Sequence, residues 1–231
     1  MKKFINLYVG AIVLCLAPAC SAPESDKAIT TEAKQENTNT PGETYKTDVD
    51  ASKIEWIGTK VSGYHTGTVK IKSGELTVSN GTLTGGNFVM DMATIAATGP
   101  KEVSDEKSGK LTGHLHSPDF FDVAKYPEAT FTITDVKTFS GIVSNPDDPR
   151  QEKLNEYKII DPTHTVNGNL TVRDITKNIQ FPARITISDN SVEARAKFNI
   201  NRKQWGLVYP GQPDDLIRDD IHLGIFLKAV K

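Results

Sequence analysis

The chain has only two cysteines, Cys15 and Cys20, and both fall within its first 20 residues. Everything beyond Cys20 is free of cysteine, which excludes a disulfide framework, a thiol nucleophile and a cysteine-based metal site there. Long apolar runs are also missing. The run from Ile5 to Leu16, broken by Asn6 and Gly10, falls short of the about 20 residues that a spanning helix needs. No sign of charge dominates: 27 basic residues face 29 acidic ones, for a formal charge of −2. That balance gives no reason to expect nucleic acid as a partner. There is no Gly-x-Ser-x-Gly elbow, and Gly85-Gly86 does not sit between a strand and a helix as a phosphate loop must.

What is present at the N-terminus is a targeting pattern. Lys2 and Lys3 precede the apolar run, and Leu16-Ala17-Pro18-Ala19-Cys20 ends it with small residues before a cysteine. Residues 1–19 therefore read as a signal peptide. The cysteine placement resembles a bacterial lipobox, with Pro18 departing from the commonest pattern, so Cys20 is expected to be lipidated and to anchor the protein to a membrane. Plain secretion after Ala19 is the alternative; either way the mature protein is extracytoplasmic, and as a lipoprotein it is expected in the cell envelope, facing the periplasm or the cell surface. Removing Lys2 and Lys3 leaves 25 basic against 29 acidic residues, a formal charge of −4. Residues 20–43 hold almost no large apolar side chain, and such a segment cannot bury enough surface to offset its ordering entropy. A disordered tether is expected there.

From residue 44 to 231 the pattern is one of strands, in a length that suits one domain with a sizeable core. Val192, Ala194, Ala196, Phe198 and Ile200 alternate with Glu193, Arg195, Lys197 and Asn199. Phe88, Met90 and Met92 share a face, as do Ala129, Phe131 and Ile133, and later Ile221, Leu223, Ile225, Leu227 and Ala229. About eight strands with one wet and one apolar face predict an all-β antiparallel barrel or sandwich, and a barrel of that size can hold one small ligand. Small residues on the inward faces, such as Gly58, Gly168, Ala183 and Ala194, could leave the interior unfilled or let it pack tightly. The stretch Leu111–Phe131 breaks the alternation: Leu111, Leu115, Pro118 and Phe121 recur at helical spacing. Ser117 before Pro118 reads as the N-cap of a short helix that closes one end of the barrel. Residues 141–156, polar and with two prolines, read as a surface hairpin insertion.

Several blocks together resemble the YceI-like family. They are Trp56-Ile-Gly-Thr-Lys60 with Gly63-Tyr-His65-Thr-Gly67, Gly86-Asn-Phe88-Val-Met90-Asp91-Met92, and Leu111-Thr-Gly-His114-Leu115 running into Ser117-Pro-Asp119-Phe120-Phe121-Asp122-Val123. Gly168-Asn-Leu170-Thr-Val-Arg-Asp174 and Phe198-Asn-Ile200-Asn-Arg202-Lys-Gln-Trp205-Gly206 complete the set. Asp174 stands where glycine is expected at a turn, though aspartate tolerates the left-handed conformation. The resemblance implies an extended lipocalin-like barrel with an apolar tunnel for an isoprenoid or similar long-chain lipid. Polyprenyl phosphates, isoprenoid quinones and fatty-acid derivatives are the ligand classes it suggests, and it implies no catalytic mechanism.

On that reading the tunnel is lined by Trp56, Phe88, Met90, Leu115, Phe121, Phe131, Ile133, Leu170, Phe181, Phe198, Ile200, Trp205, Leu223 and Ile225, residues that would equally form the core of any barrel. His65, His114 and Arg202 are the head-group candidates, with Lys60 and Arg184 as further cations. Arg202 by strict alternation points inward, where it either meets an anionic head or forms a buried ion pair, for example with Asp91. His65, His114 and His116 invite a metal, but no spacing assigns a third ligand, and no metal or cofactor other than the lipid is expected. Asp119 and Asp122 could share one side of the short helix as a catalytic pair, or simply compensate its dipole. The function expected is storage, transport or presentation of the lipid. The alternative is an enzyme acting on a lipid head group, with His114, His116 and Asp119 at the tunnel mouth. A homodimer is left open.

Overall fold

The computed structural model describes residues 23–36, 41–141 and 156–231. The signal peptide, Cys20 and positions 142–155 of the expected surface insertion lie outside the described residues. Among the described residues, eleven strands form one antiparallel wall that closes on itself. Going around it, β4 (Gly63–Ser79), β5 (Thr82–Gly99), β6 (Glu128–Thr138), β7 (His164–Val172), β8 (Ile175–Ile187) and β9 (Ser191–Asn201) follow in order. β11 (Asp215–Val230) then pairs with β9 along its whole length, from Asp220↔Asn201 to Val230↔Ser191. The last position, between β11 and β4, is shared by β2 (Glu43–Thr47) and β3 (Lys53–Lys60), which act as one strand interrupted at 48–52. Counting that position once gives an eight-stranded barrel, one of the two architectures that alternation leaves open and the one that the resemblance implies.

The alternation holds strand by strand. Phe88, Met90 and Met92 are all buried, as are Ile179, Phe181, Ala183 and Ile185 on β8. Inside, the Phe181 ring stacks on Phe198 at 4.2 Å and leans on Phe131 at 5.9 Å, so β6, β8 and β9 share an aromatic wall. Small inward residues serve both ends foreseen for them. A side chain at Gly168 would lie 2.2 Å from the Phe131 ring, so that glycine is packed, whereas Ala194 keeps accessible surface. Arg173 and Asp174, at φ 52° and 59°, form the tight β7–β8 turn, and Asp174 does adopt the left-handed conformation that glycine would favour.

The helix differs from its expected boundaries. α1 runs Asp105–His116, and its N-cap is Ser104, whose hydroxyl accepts from Lys107 N while Asp105 and Glu106 sit in the first turn. Ser117 is the C-cap, so Ser117-Pro118 ends the helix instead of starting it. The reason is local: Pro118 has no N–H to continue the ladder, and the acidic cap lies 13 residues earlier. Leu111 and Leu115 keep their helical spacing on α1, while Pro118, Asp119 and Phe121 fall in the turn that follows. Asp122 sits there at φ 47°, so Asp119 and Asp122 do not share a helix face. The plug itself is real. β6 pairs with β5 only over residues 87–91, and α1 packs on the upper part of β5 beyond that ladder. Thr112 Oγ1 accepts from Ala97 N at 3.0 Å, and His116 Nε2 lies 2.9 Å from Ile95 O. Arg173 Nη1 donates to Phe120 O at 2.7 Å, tying the turn after α1 to the β7–β8 hairpin.

The expected tether is corrected over residues 23–36. β8 and β9 pair directly only from Ala183↔Ala196 to Ile187↔Val192 and diverge toward the end that carries α1. β1 (Ile29–Glu32) enters that gap. It pairs antiparallel with Lys177–Gln180 of β8, and Lys27 bridges in parallel to Asn199 of β9. The arm contributes little apolar surface, and what holds it is backbone pairing and asparagine. Asn169 accepts from Lys34 N at 3.0 Å and donates to Lys34 O at 2.7 Å; Asn199 Nδ2 donates to Pro23 O at 3.1 Å. This is why an outward-facing row of Asn169, Asn178 and Asn199 is buried. His222 lies in the same covered layer, with Nδ1 at 2.9 Å from Asn199 Oδ1 and the Tyr157 ring edge-on against it.

Replacing Asn169 by Ala removes both bonds to Lys34, so trypsin should cut after Lys34 several times faster while the barrel's circular dichroism stays unchanged. Equal cleavage rates would remove the asparagine's role. His222 supplies a pH prediction. Burial, helped by Lys197, pushes its imidazole down to about 4, from an unfolded value near 6.5. The unfolded chain then binds the proton more readily, so this contribution is complete above about pH 6.5 and falls as pH drops toward 4. Thermal melts of wild type and His222→Gln across pH 4–7 should converge as pH falls; parallel curves would show no linkage.

Candidate functional site

The inward faces enclose a cavity of about 440 Å³, within the range of small-molecule sites. Its wall is apolar from Leu76, Leu83 and Leu227 at one end to Leu111 and Phe120 at the other. All fourteen residues expected to line a tunnel line this cavity, and so do His65, His114 and Arg202. The floor is closed by the fully buried Tyr45, Val192 and Ala229. Whether the interior is filled, which alternation could not decide, is answered by the mid-barrel side chains. Ile54, Val69, Phe131, Ala194, Leu223 and Ile225 face inward yet keep accessible surface, which well-packed core residues lack.

Polar groups concentrate at the end carrying α1. His114 Nε2 lies 3.2 Å from Asp119 Oδ2, and its ring packs edge-on against Phe120 at 4.9 Å and Tyr209 at 4.8 Å. Lys60, at the end of β3, bonds Asp215 at the start of β11, and Asp215 also accepts from Ser62 N and Ser62 Oγ, each at 2.9 Å. The Lys60 ammonium and the Ser62 amide hold the Asp215 carboxyl down to about 2. His65 faces the cavity from β4, and burial followed by the Lys60 charge lowers its pKa, against smaller opposite effects of Asp215 and Gly99.

Arg202 does point inward, but its donors are spoken for by the protein. It opens a 3-10 turn, Arg202–Trp205, and is 2% exposed. Nε donates to Arg218 O at 3.1 Å, Nη1 to Leu207 O, and Nη2 to Ile217 O at 3.4 Å. Its carboxylate neighbour is Asp219 at 3.8 Å, not Asp91, whose Oδ1 accepts from Ala93 N. Arg202 thus clamps the 206–218 segment over the barrel end, and Trp205 Nε1 fastens the same turn to Leu170 O at 2.9 Å. Arg184 faces outward and pairs with Asp161. His116 is occupied with Ile95 O, and among the described residues no three His, Cys, Asp or Glu side chains converge as a metal site would require.

Sequence reasoning missed the segment 207–217. Leu207, Tyr209, Gly211, Gln212, Asp215 and Ile217 all reach the cavity, but as a loop and short hairpin they carry no period to read. Trp56 was foreseen only as apolar wall. Its indole lies across Gly67, where a Cβ would come within 2.4 Å of Trp56 Cε2 and 2.0 Å of Ala96 O. Among the described residues its Nε1 is buried without a partner, as is His65 Nδ1.

Comparison with known proteins gives a consistent assignment. A sequence model described as the YceI-like domain matches residues 45–229. A UPF0312 protein of Pseudomonas putida is 30% identical over 149 residues, 59% of this chain and 66% of that protein. The chain thus spans just under two thirds of the length of such relatives. In structure, BcnA of Burkholderia cenocepacia superimposes with a TM-score of 0.57 at 15% identity, over 80% of this chain and 99% of BcnA. A polyisoprenoid-binding domain of Saccharophagus degradans, implicated in plant cell wall breakdown, gives 0.53 at 14% identity, over 80% and 97%. At these identities the two structures establish the shared fold.

Removing Arg202 leaves three backbone carbonyls without their donor. Arg202→Ala should cost on the order of 3 kcal/mol, or roughly 6–12 °C in Tm for a domain of this size. Arg202→Lys should recover little, because an ammonium cannot reproduce the guanidinium fork. A variant that melts like wild type but loses ligand would return Arg202 to a head-group role.

Proposed function

The chain belongs to the YceI-like family, and we propose that its cavity holds a long-chain isoprenoid, or an amphiphile with a comparable apolar tail, for storage, transport or presentation in the cell envelope. The observation that carries this reading is the open apolar interior: inward-facing Phe131, Leu223 and Ile225 keep accessible surface although they belong to the core face. An apolar tail laid against them leaves water at roughly 25 cal/mol per Å². Affinity can then come from the tail, with the polar groups at the α1 end orienting the head. The polyisoprenoid ligand of the Saccharophagus degradans domain supports the same ligand class for a barrel of this fold. No cofactor beyond the lipid enters this reading. Cys20, as a lipidated first residue, would fix the barrel at a membrane from which such a ligand can be drawn.

Native mass spectrometry of protein purified without detergent should find one long-chain lipid per chain, identified by organic extraction. Ala194→Trp, which projects an indole into the open part of the cavity, should lower that occupancy at least tenfold while the protein stays folded. A barrel that is empty, and that also refuses polyprenyl phosphates, isoprenoid quinones and fatty acids, would sink the proposal.

A further inference from the structure

The polar atoms around the cavity divide into those the protein has already satisfied and those it has not. Lys60 is bonded to Asp215, Arg202 to three backbone carbonyls, and His114 faces Asp119. Lys60 and Arg202, the cations at the mouth, thus already have acceptors within the fold. Among the described residues, three buried side-chain atoms bordering the cavity have none: Trp56 Nε1, Thr59 Oγ1 and His65 Nδ1. A buried polar group without a partner costs free energy comparable to a lost hydrogen bond, so each calls for an explanation. Alternation along β3 turns Thr59 away from Trp56. Trp56 and His65 face the same way, because Trp56 pairs with Gly67, two residues along the inner face of β4 from His65.

The two orphans differ in kind. Indole Nε1–H is a donor only. His65 Nδ1 accepts or donates according to the ring tautomer, and among the described residues it has no partner. Burial and the Lys60 charge favour the neutral ring, and in its Nε2–H tautomer Nδ1 is an acceptor. One donor and one acceptor on neighbouring positions of an apolar wall are complementary to a group that both accepts and donates.

We propose that Trp56 Nε1 and His65 Nδ1 form a subsite for a hydroxyl, so that the lipid this barrel takes carries an uncharged alcohol-type head instead of a phosphate or carboxylate. The hydroxyl oxygen accepts from Trp56 and its proton is given to His65. A phosphate offers only acceptors where His65 presents a lone pair, and it meets cations whose hydrogen bonds are already made. An ether or carbonyl satisfies Trp56 and leaves His65 unpaired. This inference rests on the lipid-binding reading above and narrows it.

Three probes with one tail separate the cases: geranylgeraniol, geranylgeranyl methyl ether and geranylgeranyl phosphate, titrated into the delipidated full-length protein. The alcohol should bind about tenfold more tightly than either of the others, the gain expected when one buried hydrogen-bonding group finds its partner. In His65→Leu the alcohol should fall to within about twofold of the ether, with ether affinity close to wild type, whereas Trp56→Phe should weaken alcohol and ether alike and keep their ratio near tenfold. Reading the alcohol-to-ether ratio within each variant cancels changes in packing, and two variants guard against one that fails to fold. Equal binding of alcohol and ether by the wild type, or phosphate binding as tightly as the alcohol, overturns the subsite and leaves lipid binding standing. Binding of none of the three overturns both.

Discussion

Closure of the sheet is the constraint on which the rest of this structure depends. β9 can face inward with Ala194, Phe198 and Ile200 only because it is paired on both sides, with β11 throughout and with β8 over its first half. Where β8 and β9 part, their freed backbone groups would meet water or the interior, and either is unfavourable beside an apolar cavity. The arm from Lys27 to Glu32 restores that pairing. On the other side of the barrel, where β5 outruns β6, α1 does the equivalent work through Thr112 and His116. The barrel is therefore a ring completed by two added elements, and both sit toward the end where the polar groups lie.

Within that ring, polarity is sorted by depth. The floor and mid-wall carry hydrocarbon, the mouth carries Lys60, His65, His114, Arg202 and Asp215, and the outer face under the arm carries buried asparagines. Most of these groups are paired with each other or with backbone. Arg202 spends its fork on carbonyls of the 207–218 segment, a use that gives the mouth a fixed shape. A guanidinium so employed holds a lid in place rather than a ligand.

Much of this was legible in the sequence, because a period of two is dictated by the strand itself and survives any packing detail. Phe88, Met90, Phe131, Phe181, Phe198, Leu223 and Ile225 were placed on inward faces by alternation alone. Three things were hidden, each for a physical reason. Ser117-Pro118 reads equally as the opening or the stop of a helix, and the acidic pair after Ser104 is the signal that decides. In sequence the arm reads as a free tether, because its anchorage is backbone and asparagine, to which a count of apolar residues is blind. The open interior could not be inferred, since Leu223 and Ile225 look alike in sequence whether they touch a neighbour or a void.

The way the arm enters the wall also sets how the protein answers a pull. Tension applied upstream of Pro23 arrives first at Asn199, at the Lys27–Asp220 ion pair and at the few bonds of β1. Those bonds are met one after another from the arm's own end, as in opening a zip, whereas β9 and β11 share their load across eleven paired residues. Under force the seam between β8 and β9 is the first part to give, and it gives on the flank of the cavity while the rest of the ring remains closed.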